Sequence, residues 1–269
     1  MRARRAITAL TIPLMALAGL TACQSGEATS STDTSAPAAA EVVPAAELVT
    51  AHDLDARMRA ASQTAGSARL AMTMSGEGLE MTSQSEFVLD GQTIAMHQAI
   101  DMAGETIEIV IVDGLVYMNM GEASGGLFVV LDPATDGDLL GGSLDALTGQ
   151  VDPGAMFAGS EDVLVSFEPD GDPIELDGVQ AQPYVAVIDT AKALETSSAL
   201  LPAGVDSAEV AAAMPAELTY HLWLGVDDDL LRKLTFDAMG ISTEALYTGW
   251  GSDIQITAPP ADQVTQLGL

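Results

Sequence analysis

From Ser67 to Leu131 apolar and polar side chains alternate with a period of two, in one segment after another. Leu70, Met72 and Met74 stand against Ala71, Thr73 and Ser75; Leu79, Met81, Phe87 and Leu89 stand against Glu80, Thr82, Gln84 and Glu86. Ile94, Met96, Ile100 and Met102 continue the pattern, as do Ile107, Ile109 and Ile111, Leu115 to Met120, and Leu127 to Leu131. A period of two sends successive side chains to opposite faces of an extended chain, so each segment reads as a strand with one dry and one wet face. The breaks between segments are Gly76 to Gly78, Asp90-Gly91, Ala103-Gly104, Asp113-Gly114 and Gly125-Gly126, which are turn sequences. Strands joined by tight turns pair antiparallel with their neighbours, so this stretch predicts a meander of six strands.

Elsewhere the pattern mixes helices and strands. Val42 to Ala65 reads as a surface helix starting after Pro44, with Leu48, Leu54, Met58 and Ala61 near one face. Asp132 to Gly159 carries Pro, Gly and short pieces such as Ser143 to Leu147 and Pro153 to Phe157, which predict short helices over the sheet. Strands resume at Val163 to Phe167, Ile174 to Leu176 and Tyr184 to Ile188, and the Ala-rich excursion Thr190 to Pro215 reads as two short helices. Leu218 to Leu224 and Leu230 to Phe236 form a hairpin around the acidic tip Asp227-Asp228-Asp229, and Ala245 to Trp250 with Ile254 to Thr257 close the sheet. About eleven strands with clustered helices and no βαβ alternation predict an α+β fold. Its centre is one large curved antiparallel sheet, a half-open barrel whose concave side the helices cover.

The N-terminus has its own logic. Arg2, Arg4 and Arg5 precede an apolar run from Ala6 to Leu20, followed by Leu20-Thr21-Ala22-Cys23. This is the layout of an export signal, and its apolar run falls short of the roughly 20 residues a spanning helix needs. Cys23 is the one cysteine of the 269 residues. A cysteine after Leu-Thr-Ala resembles the bacterial lipobox, which implies cleavage before Cys23 and a covalent diacylglycerol and palmitate-type acyl anchor on its thiol. No other cofactor is expected. Residues 1–22 are then a signal peptide, 23–41 a lipidated N-terminus and flexible polar tether, and 42–269 a single domain. The expected location is the outer face of the cell membrane, held by lipid.

The formal net charge is −30. Loss of residues 1–22 removes three of the nine basic residues and none of the thirty-nine acidic ones, leaving −33. Such a surface excludes nucleic acid as a partner and excludes adhesion to anionic headgroups by charge, so an acyl anchor must supply the membrane contact. Hydrophobic residues nonetheless make up 48% of the chain, ample for one core.

Seven of the thirteen methionines fall in the meander: Met72, Met74, Met81, Met96, Met102, Met118 and Met120. Methionine adapts to varied apolar shapes, and at 4% aromatic residues the rigid fillers of a large sheet are scarce. A lumen for lipid tails is expected, lined by Leu70, Met72, Met74, Met81, Phe87, Met96, Ile100, Met102, Ile107, Ile109, Met118 and Phe128.

Asp113-Gly114-Leu115-Val116-Tyr117-Met118 with Gly125-Gly126-Leu127-Phe128, then Asp177-Gly178-Val179 with Tyr184 to Val187, resembles actinobacterial lipoproteins of the LppX/LprG family. Leu218 to Trp223 and Gly249-Trp250-Gly251 through Ala258-Pro259-Pro260 to Val264 are similar too. The resemblance covers roughly residue 60 to the C-terminus. It implies a LolA-like half-barrel around an apolar cavity and a part in carrying lipid or glycolipid through the cell envelope. Leu127-Phe128 departs from it, since Trp is expected after Gly126.

Catalytic and metal signatures are weak. Asp132, Asp136 and Asp138 follow part of a calcium-loop count, but Ala134 and Ser143 occupy positions that need ligands, which favours a solvated acidic loop. Gly141-Gly142-Ser143-Leu144-Asp145 lacks the last glycine of a nucleophile elbow, and His52, His97 and His221 are scattered. The expectation is a non-enzymatic, membrane-anchored protein that binds lipid or glycolipid acyl chains. The rival is a closed-core envelope module that meets a protein or cell-wall partner through its acidic surface.

Overall fold

The computed structural model describes residues 47–76, 78–91, 93–140, 157, 159–196 and 207–266. The signal peptide, Cys23 and the tether lie outside them, as do Ser143 to Leu147 and the elbow-like Gly141 to Asp145.

The alternating segments are strands: β1 (Ser67–Gly76), β2 (Leu79–Asp90), β3 (Thr93–Met102), β4 (Glu105–Val112), β5 (Leu115–Asn119) and β6 (Phe128–Leu131). Each pairs antiparallel with the next. Their turns are tight because the sequence supplies residues that tolerate positive φ: at Asp113-Gly114 both residues have it, 54° and 77°.

Beyond β6 come helix α2 (Pro133–Leu140), the short α3 (Ser160–Val163), strands β7 (Leu164–Pro169), β8 (Ile174–Leu176) and β9 (Val179–Asp189), and helices α4 (Thr190–Thr196) and α5 (Ser207–Ala213). Strands β10 (Glu217–Gly225), β11 (Leu231–Ala238), β12 (Ile241–Thr248) and β13 (Val264–Gln266) complete the chain. The thirteen strands among the described residues belong to one sheet, ordered β13-β6-β5-β4-β3-β2-β1-β12-β11-β10-β9-β7, with β8 paired to β9. The sheet is unclosed, ending at β13 and β7, and the fold is α+β.

Three details differ from the sequence reading. The described residues hold thirteen strands rather than about eleven, and β13 runs parallel to β6. Ile254 to Thr257 forms no strand. Ile256 packs beside Val110, Val112 and Phe128, so its side chain finds an apolar partner without backbone pairing, and Pro259 and Pro260 supply no N–H for a ladder just beyond. The first helix, α1, spans Leu54–Ala65, and the described residues before it, 47–53, are not helical. Its buried stripe is Leu54, Met58 and Ser62, at i, i+4 and i+8, while Leu48 is half exposed. Val49 is buried instead, its N–H donating to the Tyr184 hydroxyl at 3.0 Å.

One sheet face holds the main core and is called the inner face. Cross-strand register puts Leu70, Phe87, Met96, Ile109, Val116, Tyr184, Leu222, Leu234, Ala245 and Tyr247 on it, with Leu54 and Met58 of α1 in the same cluster. Burying each of the two α1 side chains is worth about 1.5–3 kcal/mol. Aromatic rings thicken this end: Phe87 meets Trp250 edge-on at 5.9 Å, and Phe167 stacks on Tyr184 at 4.8 Å.

α1 is also clamped from outside. Arg57 donates from Nε and Nη2 to the two carboxylate oxygens of Asp229 at 2.9 and 2.7 Å. Asp228 pairs with Arg232 and accepts from the Leu230 N–H at 3.1 Å. The acidic tip therefore holds two ion pairs. Gly225 lies so close to Asp228 that a Cβ would sit 2.0 Å from its Oδ1, so a side chain there would displace the Asp228 carboxylate. The partial calcium-loop count likewise resolves into helix capping. Asp132 Oδ1 accepts the Ala134 N–H at 2.8 Å, and Asp136 Oδ2 accepts the Asp132 N–H at 2.9 Å, at the start of α2.

Candidate functional site

Along the inner face, burial falls from one end of the sheet to the other. Near α1, Ala68, Leu70, Phe87 and Met96 are at most 2% exposed. Toward the far ends of the same strands Met72, Met74 and Met81 are only partly buried, and Met102 is 44% exposed. The far end collects the turns at Gly76 to Gly78, Ala103-Gly104 and Met239-Gly240, where Met239 is 65% exposed. This end leaves apolar surface open.

At that far end, between α5 and the strands β1, β11 and β12, lies a pocket of about 520 Å³. Met74, Phe236, Ala238, Ile241 and Thr243 form its sheet wall, Val210, Ala213 and Met214 its helix wall, and Met239 stands at the hairpin tip. The sheet wall follows from register: Met74 pairs with Thr243, and Phe236 pairs with Thr243 from the other side, so all three project to the inner face. Gly76 allows the β1 end to close on this hairpin, since a Cβ there would meet the Gly240 carbonyl at 2.7 Å.

The pocket is apolar but for Thr243, which is 4% exposed and whose Oγ1 has no hydrogen-bond partner. Beside it, the Tyr220 ring packs at a tilt against Phe236, centroids 4.8 Å apart, and burial pushes the Tyr220 hydroxyl above its usual pKa. Two further unpartnered polar atoms, Ser85 Oγ and Gln98 Oε1, lie on the same inner face, where Gln98 donates weakly to Ser83 at 3.4 Å.

Of the twelve lining residues expected from sequence, eleven project to the inner face: Leu70, Met72, Met74, Met81, Phe87, Met96, Ile100, Met102, Ile107, Ile109 and Met118. Leu70, Phe87, Met96 and Ile109 sit in the filled core, and Met74 lines the pocket. Phe128 is the exception. It packs on the outer face with Val110 and Val112, because β6 sends Val129 and Leu131 inward and Phe128 and Val130 outward. Sequence reasoning missed Val210, Met214, Phe236, Met239 and Ile241. Met214 and Met239 were visible as methionines flanking an Ala-rich helix and a hairpin turn, but only the β1–β12 pairing brings Met239 to Met74, and only the packing of α5 against that end brings Met214.

The outer face is polar. A groove of about 340 Å³ runs beneath the C-terminal segment, lined by His97, Glu108, Phe128, Ile256 and Pro259 among others. His97 lies 3.9 Å from Glu108, and His221 shares the face beside Trp223. His52 pairs with Glu161 at 3.0 Å in the open. Among the described residues no cluster of three or more His, Cys, Asp and Glu could hold a metal ion, and no helix is long and apolar enough to cross a membrane.

An open antiparallel sheet with helices on its inner face and an apolar pocket at one end defines the architecture. No protein-family model matches the sequence, and no curated protein matches it. Among solved structures it is similar to LprF from Mycobacterium bovis, with 13% identity over 78% of this chain and 96% of that one and a TM-score of 0.47. It is similar to lipoprotein LppX of Mycobacterium tuberculosis, with 12% identity, 77% and 99% coverage and a TM-score of 0.47. A LolA superfamily protein from Nitrosomonas europaea matches at 12% identity, 80% and 97% coverage and a TM-score of 0.26. LprF and LppX belong to the LppX/LprG family that the sequence motifs resemble. At such identity no residue's role carries across.

Proposed function

We propose that this protein is a non-enzymatic, membrane-anchored carrier that takes the acyl chains of a lipid or glycolipid into the pocket between α5 and the inner face of β1, β11 and β12. One observation carries the reading: about 520 Å³ of space lined by eight apolar residues and one threonine, with Met239 exposed at its rim. That volume falls within the ordinary range for small-molecule sites. Methionines at Met74, Met214 and Met239 supply flexible, polarizable contacts suited to chains of varied shape. Affinity comes from burying methylene groups at about 0.8 kcal/mol each.

In this reading Cys23 carries the lipid that holds the domain at the outer face of the cell membrane, and residues 23–41 tether it there. Replacement by Cys23→Ser releases the protein from membranes. Native mass spectrometry of protein purified from its own host shows co-purifying lipid; protein that is free of lipid in every preparation overturns the carrier.

The closed-core rival draws support from the filled α1 end, where Leu70, Phe87, Met96 and Leu222 leave no room. It predicts partner binding through the acidic surface that weakens steeply with salt, and a pocket that stays empty.

A further inference from the structure

Four hairpin turns among the described residues share one backbone form, a residue and a glycine both at positive φ. They are Ala103-Gly104 (54° and 88°), Asp113-Gly114 (54° and 77°), Asp177-Gly178 (51° and 76°) and Met239-Gly240 (53° and 77°). The first position of such a turn favours Asn, Asp or Gly, whereas other side chains are strained in the left-handed region. Asp113 and Asp177 follow that preference, and both stand at the α1 end. Asp113 lies just past the buried Ile111, which pairs with Met96 of the filled core, and Asp177 leads into β9, whose Ala181 pairs with Gly225 beside the turn that Arg57 grips. Ala103 and Met239 break the preference, both exposed, and both at the pocket end.

These two tips belong to a longer apolar rim. Met81 pairs with Met102, and Gly76 pairs with both Leu79 and Ile241, so the β1–β2, β3–β4 and β11–β12 turns stand side by side. Past β5, a Cβ on Gly121 would lie 3.6 Å from the Thr106 carbonyl of β4, which brings Met120 and Leu127 to the same end. Among the described residues eight large apolar side chains are exposed, and four of them, Met102, Met120, Leu127 and Met239, gather here. They sit on separate turns with the exposed carboxylates of Glu80, Asp101, Glu105 and Asp237 behind them, not in the continuous packed patch that a protein interface needs. A fluid apolar phase accepts such scattered points and leaves the carboxylates among the headgroups.

We propose that the Ala103 and Met239 tips, with Met102, Met120 and Leu127, set the pocket end of the domain into the surface of a lipid bilayer. The purpose of this contact rests on the carrier reading: Met239 also lines the pocket, so an acyl chain passes between bilayer and pocket without being exposed to water along its length. The chain length permits the posture. Glu47 lies at the α1 end, where its carbonyl accepts from Arg57 at 3.2 Å. The 23 residues between Cys23 and Glu47 can span about 80 Å when extended, against about 33 Å for the ten-residue β1. An anchor joined to one end of the domain therefore leaves the opposite end free to meet the same membrane.

The test uses the full-length lipidated protein in vesicles of phosphatidylcholine brominated on its acyl chains, which quench tryptophan at short range, with unbrominated vesicles as reference. Wild type supplies the background, since Trp250 packs on Phe87 and Trp223 pairs with Lys233, both toward the α1 end. The tryptophan added by Met102→Trp should be quenched about two-fold or more, while that added by Leu48→Trp, at the α1 end, should not. Adding Ala103→Asp and Met239→Asp to Met102→Trp should abolish most of the quenching. Both changes install the residue that Asp113 and Asp177 carry in the same backbone form, so the thermal midpoint should hold or rise. Quenching at Leu48→Trp, quenching at neither site, or quenching at Met102→Trp that survives both aspartates overturns the docking surface, and lipid that still co-purifies then leaves the carrier standing. Lipid-free protein quenched at Met102→Trp overturns the carrier and upholds the docking surface.

Discussion

Arg57 of α1 grips Asp229 at the β10–β11 turn with two hydrogen bonds, 2.9 and 2.7 Å long, and so ties the helix that fills one end of the sheet to a hairpin far along the chain. Both side chains are about one quarter exposed, which places the pair between a surface bridge and a buried one. Asp229 raises the Arg57 pKa, chiefly through this hydrogen bond. Arg57→Ala should lower unfolding free energy by about 1–2 kcal/mol, read from the urea midpoint. A double-mutant cycle with Asp229→Ala should show most of that loss as coupling; independent, additive losses would mean the pair is only a surface contact.

Filling the pocket separates ligand binding from folding. Ala213 lies on its helix wall and is exposed enough to accept a larger side chain. Ala213→Phe should cut co-purifying lipid several-fold by native mass spectrometry while moving the thermal midpoint by no more than about 2 °C. Undiminished lipid would place the ligand elsewhere.

Asp53 makes stability depend on acid. Burial pushes its carboxyl up, but hydrogen bonds from the Thr50 hydroxyl and N–H, at 2.7 and 2.6 Å, together with Arg57, more than offset this and leave it below the usual value. A carboxyl held down by folding stabilises the protein above its unfolded pKa, and that contribution fades as pH falls through the folded value. Thermal midpoints of wild type and Asp53→Asn should therefore differ at pH 7 and converge below about pH 4. A gap that persists unchanged into strong acid would remove Asp53 from the account.

Tyr220 gives the opposite limb. Burial raises its hydroxyl above the usual pKa, so folding favours the neutral phenol. The sign is that this contribution is complete below the unfolded value near 10 and is lost as pH rises through the folded one. Tyr220→Phe should show a shallower alkaline decline in stability than wild type, and an ultraviolet titration should lose one late-ionising tyrosine. Parallel declines would mean the phenol ionises freely.

The inner face was largely legible in the sequence. Eleven of the twelve candidate residues reach it, because a pleated strand cannot put Leu70, Met72 and Met74 on different sides. Phe128 failed for a related reason. In a strand as short as β6 the alternation is too brief to phase, and Phe128-Val129-Val130-Leu131 is apolar at every position. The α1 boundary was misread because Leu48 fits helical spacing, while the chain there is held in another conformation by the bond from Val49 to Tyr184.

Period-two alternation and turn residues by themselves determined the meander, its wet and dry faces and the α+β class, since those depend on neighbours a few residues apart. Only the tertiary structure decided that β1 pairs with β12, that α1 and the aromatic rings fill one end of the inner face, and that Met74, Met214, Met239 and Thr243 surround a pocket at the other. Alternation states which face a side chain takes. It is silent on which distant strand lies alongside, because many apolar strands offer the same dry face, and the choice is made by the packing of the whole sheet.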